Sequence, residues 1–344
     1  MNYHFYATSE KAWDAMLSSI KQAEKSIYIE MFIFLDDTYE SHDFFSLLKA
    51  KALQGLEVKV IVDAYGSKGL TARSVAELRA TGVEVLFFSQ WFRRIHKKVV
   101  IVDGKFGFIG GVNIGKYMRL WDDLQLKVSG AVVRSLLASF ARAYKICGGR
   151  DLTVARYLKN KKFKRAKFWL VENWSESGIF TLKDFYEEKI NQAQQSIIIV
   201  TPYFLPKRWL MAMLDTAVKR GVKVLVLIPQ RSDLIIINRI NFWFCSKLLA
   251  NGVKFYLGQT MNHAKVFLID NNQALVGSQN IDFLSFDYNI ETGVFFTDQK
   301  IIADLSKIVE GWLAVAVEFN PQKYQPRWYD KLIGLALRLL SPWL

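Results

Sequence analysis

The sequence predicts an α/β protein built from two related halves, and three observations carry that expectation. Apolar, β-branched runs alternate with stretches of helical periodicity. The order of these runs repeats: Ser26–Phe34 is answered by Ser196–Phe204, and Gly82–Val85 by Gly252–Phe255, each 170 positions on. A polar pattern, His-x-Lys-x4-Asp-x6-Gly-x-x-Asn, runs from His96 to Asn113 and recurs from His263 to Asn280, 167 positions on. The chain has four histidines, and two of them head these copies.

Taken in order, Thr8 or Ser9 caps a helix whose apolar residues Trp13, Met16, Leu17 and Ile20 share a face. Ser26–Phe34 follows as a buried strand. Next come a helix from about His42 to Leu53, the strand Glu57–Val62, a helix over Ala72–Ala80 and the strand Val83–Phe88. His96–Val102 and His263–Ile269 are aliphatic and run into Asp-Gly and Asp-Asn-Asn, so each reads as a strand entering a turn. The second half offers a helix from about Lys207 to Lys219, the strand Val222–Ile228, and an apolar, aromatic helix over Leu234–Leu249 capped by Ser232-Asp233. The expected division is residues 1–150 and 176–320 as the two halves, 151–175 as a basic aromatic linker and 321–344 as a tail.

At 344 residues the chain supports two ordinary cores. A net charge of +14 favours a polyanionic partner, either nucleic acid or an anionic lipid surface. Cys147 and Cys245 are the only cysteines, which excludes a disulfide framework and fits a reducing compartment. Met1–Ser9 carries no apolar run of the signal-peptide kind. No window reaches the ~18–20 apolar residues a membrane-spanning helix needs, so the expectation is a cytoplasmic protein whose membrane role is peripheral.

The repeated pattern has a chemical logic. Residues two apart on a strand share a face, which puts His96 with Lys98 and His263 with Lys265. A neutral imidazole is a nucleophile, and the ammonium beside it holds an anionic oxygen while bonds change. Two such pairs facing one another would bracket a phosphodiester, one histidine attacking phosphorus and the other delivering a proton to the leaving alcohol. Asn113 and Asn280 would donate to the non-bridging oxygens. Asp103 and Asp270 complete the pattern and count among its catalytic candidates, but alternation puts them on the opposite face, so they read first as turn and positioning residues. Lys97 also points away, and its counterpart is Ala264, which assigns it a structural or surface role.

The doubled pattern resembles the phospholipase D superfamily, in which two such motifs meet across a pseudo-twofold axis. Gly110-Gly111-Val112-Asn113-Ile114, Gly277-Ser278-Gln279-Asn280 and Thr201-Pro202-Tyr203-Phe204-Leu205-Pro206 are similar to segments of bacterial cardiolipin synthases, and the likeness extends from about Ser18 to Gly311. The resemblance implies two α/β sandwich halves with one site at their interface, and a phosphohistidine intermediate formed without a metal or other cofactor. It makes His96 the nucleophile and His263 the acid and base. It also implies an acidic residue that hydrogen-bonds each imidazole: Glu291, 28 positions after His263, and in the first half Asp123 in preference to Asp122, 27 positions after His96. Where the second copy has Ser278 the first has Gly111, so hydroxyl help to the phosphate would come from one side only. The implied reaction joins two phosphatidylglycerol molecules into cardiolipin on an anionic membrane, at the cytoplasmic side of the bacterial inner membrane. The nearest alternatives are hydrolysis to phosphatidic acid and a nuclease of the same superfamily. No nucleic acid partner is expected, and the oligomeric state is not fixed by the sequence. The chain is similar to the shorter cardiolipin synthases, which lack an N-terminal transmembrane hairpin.

Three segments suggest how a membrane would be met. Lys159 to Trp169 interleaves six cations with aromatics, which fits anionic headgroups, a solvated linker or a nucleic-acid contact. Leu234–Leu249 fits lipid contact and core packing equally. From Trp328 to Leu344 a narrow polar stripe of Lys331, Gly334, Arg338 and Ser341 marks an otherwise apolar helix suited to the headgroup plane.

Overall fold

A computed structural model describes residues 2–159, 167–174 and 182–324. The tail from Trp328 and most of the basic run between Lys159 and Lys167 lie outside the described residues.

The first half opens with β1 (Tyr3–Thr8), a strand the sequence reading missed because aromatic and polar residues replace an aliphatic run. Helix α1 (Ser9–Lys21) follows, capped by the Thr8 hydroxyl. Then come β2 (Ser26–Met31), α2 (Phe44–Leu53), β3 (Glu57–Asp63), α3 (Ala72–Ala80), β4 (Glu84–Phe88), β5 (Lys98–Val102), β6 (Phe106–Gly110), β7 (Asp122–Ser129) and α4 (Ala131–Ile146), with a short α5 (Leu152–Ala155) after it. The second half repeats the plan with β8 (Phe168–Asn173), α6 (Leu182–Gln192), β9 (Ser196–Val200), α7 (Arg208–Lys219), β10 (Lys223–Pro229), α8 (Ile235–Leu249), β11 (Lys254–Gly258), β12 (Val266–Ile269), β13 (Gln273–Gly277), β14 (Glu291–Phe296) and α9 (Gln299–Ala314), then β15 (Val317–Glu318).

Strand order shows the duplication directly. One sheet runs β1-β7-β6-β5-β2-β3-β4 and the other β8-β14-β13-β12-β9-β10-β11-β15. Strands β2, β3 and β4 are parallel, as are β9, β10 and β11, and the remaining pairings are antiparallel. Thus β8, drawn from residues expected to be linker, is the second sheet's counterpart of β1.

Side-chain alternation builds three apolar layers. Val99 and Ile101 meet Val266, Leu268 and Val276 in a core between the two sheets, which α4 and α9 help to close. Val100 and Val102 turn outward onto α1 and α2, and Phe267 and Ile269 turn outward onto α6 and α7. Each such side chain, fully buried, is worth about 1.5–3 kcal/mol.

Two expected strands stop early for reasons bearing on the site. After Met31 the Phe32 N–H still reaches a backbone carbonyl, Lys97 O, but those of Ile33 and Phe34 bond to Asn113 Oδ1 and Ser67 Oγ, so side chains replace the ladder from there. After Val200, Pro202 removes a donor, and Phe204 N–H donates to Asn241 Oδ1 at 2.8 Å. No helix among the described residues is long and apolar enough to cross a membrane.

Candidate active site

Both motif histidines lie just before a strand, and for one reason. His96 N–H donates to Ile290 O of the other half (3.0 Å), and His263 N–H donates to Asp122 O (2.7 Å). Short bridges between Ile95 and Ile290 and between Asp122 and Asn262 therefore lace the halves together at the carboxyl ends of their parallel strands. Both histidines and both motif lysines are buried there.

Each imidazole is held by a carboxylate of the other half. His96 Nδ1 donates to Glu291, 3.0 Å from Oε1 and 3.1 Å from Oε2. His263 Nδ1 donates to Asp123 Oδ2 at 2.8 Å. Asp122 is engaged elsewhere, accepting from the Thr260 hydroxyl. These bonds fix the Nδ1–H tautomer and leave each Nε2 as the basic nitrogen.

Lys98 donates to His96 O, while Lys265 lies against the His263 ring, 2.9 Å from Nδ1 and 2.8 Å from Nε2, and also donates to His263 O. Among the described residues His96 Nε2 receives no such bond. Gln125 anchors Lys98 from the next strand but one, its Nε2 donating to Lys98 O and its Oε1 accepting from Val112 N–H.

Burial sets the charge state. Desolvation holds His96 down at about 4, and it outweighs the Glu291 carboxylate that favours the imidazolium. The same cause lowers His263, with the Lys265 charge adding to it. Desolvation and the facing Lys265 push Lys98 well below the usual lysine range, and desolvation brings Lys265 to about 8. Burial would raise Glu291, but His96, Lys98 and the Ser278 hydroxyl hold it at about 2. Cationic groups are thus crowded into a dry place, an arrangement that an incoming anion would relieve.

Asn113 is buried with Oδ1 accepting from Ile33 N–H, which leaves its Nδ2 as the donor. Asn280 is buried, and its backbone N–H donates to Ser285 Oγ at 3.0 Å. Three expectations change. The Ser278 hydroxyl donates to the Glu291 carboxylate and accepts from Thr292 N–H at 3.1 Å, so it braces the carboxylate that holds His96 instead of facing a phosphate. Asp103 and Asp270 are removed from the catalytic group, because they stand at the far ends of β5 and β12 with left-handed φ of 54° and 51°. Asp103 accepts from the N–H groups of Glu24, Lys25 and Ser26, and Asp270 from those of Gln194, Gln195 and Ser196. Each therefore pins the loop entering the first parallel strand of its half, β2 or β9. The third change concerns α8, whose N-cap is Leu234 with no side-chain cap, while Asp233 instead accepts from Tyr203 OH at 2.9 Å.

Lys97 is wholly buried in the inter-sheet layer, so its role is structural and not superficial. Its ammonium lies 3.3 Å from Glu30 Oε1, 2.7 Å from Ser139 Oγ and 4.2 Å from the Trp174 ring centroid. Burial pushes Glu30 up to about 7 against the pull of Lys97.

Sequence reasoning missed several members of the site. Asp63 Oδ2 accepts Ile95 N–H at 2.9 Å and so sets the backbone just ahead of His96. Ser285 donates to Glu291 Oε1 at 2.8 Å, and Asp282, raised by burial to about 6, accepts from Ser285 N–H. Phe32 lies 4.7 Å from His96 and Trp121 5.5 Å from His263, centroid to centroid. Trp121 was legible, since it directly precedes the Asp122-Asp123 pair. Ser285 and Asp282 were not, because they sit where the two copies diverge.

Fold and site together define a duplicated α/β enzyme with a single active site shared between its halves. The family described as cardiolipin synthase, PLD-like domain, matches twice, over residues 16–141 and 186–312. The chain belongs to that family. It is 30% identical to a probable cardiolipin synthase of Bacillus subtilis over 95% of this chain and 69% of that one. It is 32% identical to cardiolipin synthase A of Pseudomonas aeruginosa over 97% and 71%. Among solved structures, the phosphatidylserine synthase of Haemophilus influenzae shares the fold, with a TM-score of 0.76 at 16% identity over 98% of this chain and 93% of that one.

Proposed function

We propose that this enzyme makes cardiolipin by phosphatidyl transfer between two phosphatidylglycerol molecules. The observation that carries the mechanism is the pair of buried imidazoles, each held at Nδ1 by a carboxylate from the opposite half. In the first step His96 Nε2 attacks the phosphorus of one phosphatidylglycerol. The bond to the headgroup glycerol oxygen breaks, and His263 as imidazolium gives that oxygen its proton. The dianionic character gathering at phosphorus raises the proton affinity of His263, offsetting the burial that otherwise keeps it neutral. Lys98 and Lys265, with the Nδ2 groups of Asn113 and Asn280, hold the non-bridging oxygens.

In the second step His263, now neutral, takes the proton from a hydroxyl of a second phosphatidylglycerol. That oxygen attacks phosphorus, the P–N bond breaks, and cardiolipin leaves with both histidines restored. His96 is favoured as nucleophile because its Nε2 has no polar neighbour within hydrogen-bond distance among the described residues, whereas the Lys265 ammonium lies against the His263 ring, 2.9 Å from Nδ1 and 2.8 Å from Nε2. Two serine hydroxyls on Glu291 also lower its affinity for the Nδ1 proton, so His96 keeps that proton through the attack. The enzyme would work peripherally at the cytoplasmic face of the inner membrane, where a net +14 meets anionic headgroups.

The test is purified protein with phosphatidylglycerol vesicles, with lipids and free glycerol resolved by mass spectrometry. Cardiolipin formed in step with glycerol is expected. Phosphatidic acid alone would make the enzyme a hydrolase, and no lipid turnover would defeat the proposal and turn attention to single-stranded nucleic acid.

A further inference from the structure

Six exposed apolar side chains stand at the edge of the sheets that carries the site. Trp91 and Phe92 lie in the loop between β4 and His96, Leu120 in the loop between Asn113 and Asp123, and Leu234, Ile235 and Ile236 at the start of α8, immediately after Asp233. Trp91 is 84% exposed, Ile235 81% and Leu120 72%. The first and last segments leave the carboxyl ends of the parallel strands β4 and β10. The middle one follows β6, whose Ile109 pairs with Val99 beside Lys98. All three therefore emerge where the imidazoles lie.

Contacts tie the rim to the site. The Tyr117 ring packs 5.5 Å from Trp121, Trp121 lies 5.5 Å from His263, and Tyr203, 6.5 Å from His263, donates to Asp233 at the foot of Leu234. On the other side the loop holding Trp91 is folded around Arg94, whose Nη1 donates to Gln90 O and Arg93 O and whose guanidinium covers the Tyr65 ring at 4.4 Å. That fold presents Trp91 outward. The rest of α8 is ordinary core, with Ile240, Phe244, Cys245 and Leu248 buried, so the apolar excess on this helix is confined to its first turn.

Single exposed apolar residues need no explanation, but six gathered around one mouth do. Tryptophan, aliphatic tips and arginine are the side chains that suit the boundary between headgroups and acyl chains. We propose that this rim docks on an anionic lipid bilayer, with the six tips at the headgroup boundary and the mouth facing the membrane. A lipid phosphodiester would then reach the imidazoles without leaving the plane of its leaflet. The occupant is a bilayer and not a second copy, because a chain of net charge +14 facing itself would oppose Arg93 and Arg94 to their own images. This inference rests on the phosphatidyl transfer proposed above for its substrate, but its test is separable from that reaction.

The full-length double variant Trp91→Ser with Ile235→Ser is compared with the parent in two assays. In sedimentation with phosphatidylglycerol–phosphatidylcholine vesicles, binding is expected to fall about tenfold or more. Turnover of a short-chain, monomeric phosphatidylglycerol should stay within about twofold of the parent, since neither side chain touches the site. Unchanged vesicle binding would overturn the proposal. So would a parent that is dimeric in lipid-free buffer and a variant that is monomeric, because the rim would then belong to a second copy. If the parent turns over neither form of the lipid, the proposed reaction fails while the vesicle comparison still decides the rim.

Discussion

The two halves share a backbone plan but hold their imidazoles differently. Glu291 accepts from His96 and from two serine hydroxyls, Ser278 and Ser285. Asp123 accepts from His263 and from the backbone N–H of Leu124 at 2.7 Å. The shorter carboxylate sits so close to the adjoining strand that a Cβ on Gly111 would meet Asp123 Oδ1 at 2.2 Å, leaving no room there for a counterpart of Ser278. A second contrast lies behind the site. Glu30 and Lys97 form a buried ion pair where the second half places Val200 and Ala264, both apolar and buried. Duplication thus fixed the geometry of two equivalent imidazoles, and local substitutions made their surroundings unequal enough for different duties.

The comparison breaks most sharply at the histidines. His96→Ala and His263→Ala are each expected to lower turnover by a factor of at least about 10³ with the fold intact. Given a substrate with a good leaving group, only His263→Ala should accumulate a phosphatidyl adduct, on His96, by intact-protein mass spectrometry. An adduct on His263 in the His96→Ala protein would exchange the roles.

Next in size is the buried pair. Lys97→Ala alone should cost about 3–5 kcal/mol of stability by leaving Glu30 buried without its cation. Glu30→Val with Lys97→Ala, which copies the second half, should recover most of that in denaturant unfolding. No recovery would mean that Glu172, 3.9 Å from Lys97, is the partner that matters.

Exchanging the bracing residues sharpens the contrast. Gly111→Ser should displace Asp123 and lower kcat about 100-fold, whereas Ser278→Gly removes one of three donors on Glu291 and should cost about tenfold. Equal losses would show that the asymmetry is ornamental.

The gentlest test is the pH profile of kcat/KM. His96 is neutral above about 4, and Lys265 keeps its charge below about 8. Raising the pH first removes the proton from His263, which burial and Lys265 hold below the usual histidine range. Raising it through the upper value also removes the Lys265 cation proposed to bind the phosphate, so activity should fall, in two stages. Lowering it through about 4 protonates the nucleophile and should do the same. In kcat the upper limb should move to higher pH, because bound phosphodiester raises the lysine.

Much of this was legible in the residues. The spacing located both His-Lys pairs, and comparing Lys97 with Ala264 assigned that lysine to the structure. The choice of Asp123 over Asp122 agrees with the hydrogen bond to an imidazole. The partner of that imidazole was not legible, since strand parity says which face a residue occupies and nothing about which half it meets. For the same reason β5 and β12 looked two or three residues longer than they are: the histidine N–H groups leave their own sheets to bond across the interface. Asp103 and Asp270 were ambiguous because a motif records what recurs without recording at which end of a strand each member acts. Strands β1 and β8 lacked the aliphatic signature, their place at the sheet edge being settled by pairing with β7 and β14.

The carboxylate exchange between the halves also says what the active site requires. The bonds that orient the imidazoles join residues 195 and 140 positions apart, so each crosses from one half to the other. A chain without β14 would hold His96 without the group that fixes its tautomer. The tautomer of each histidine is therefore a property of the two halves joined, and neither half carries it alone.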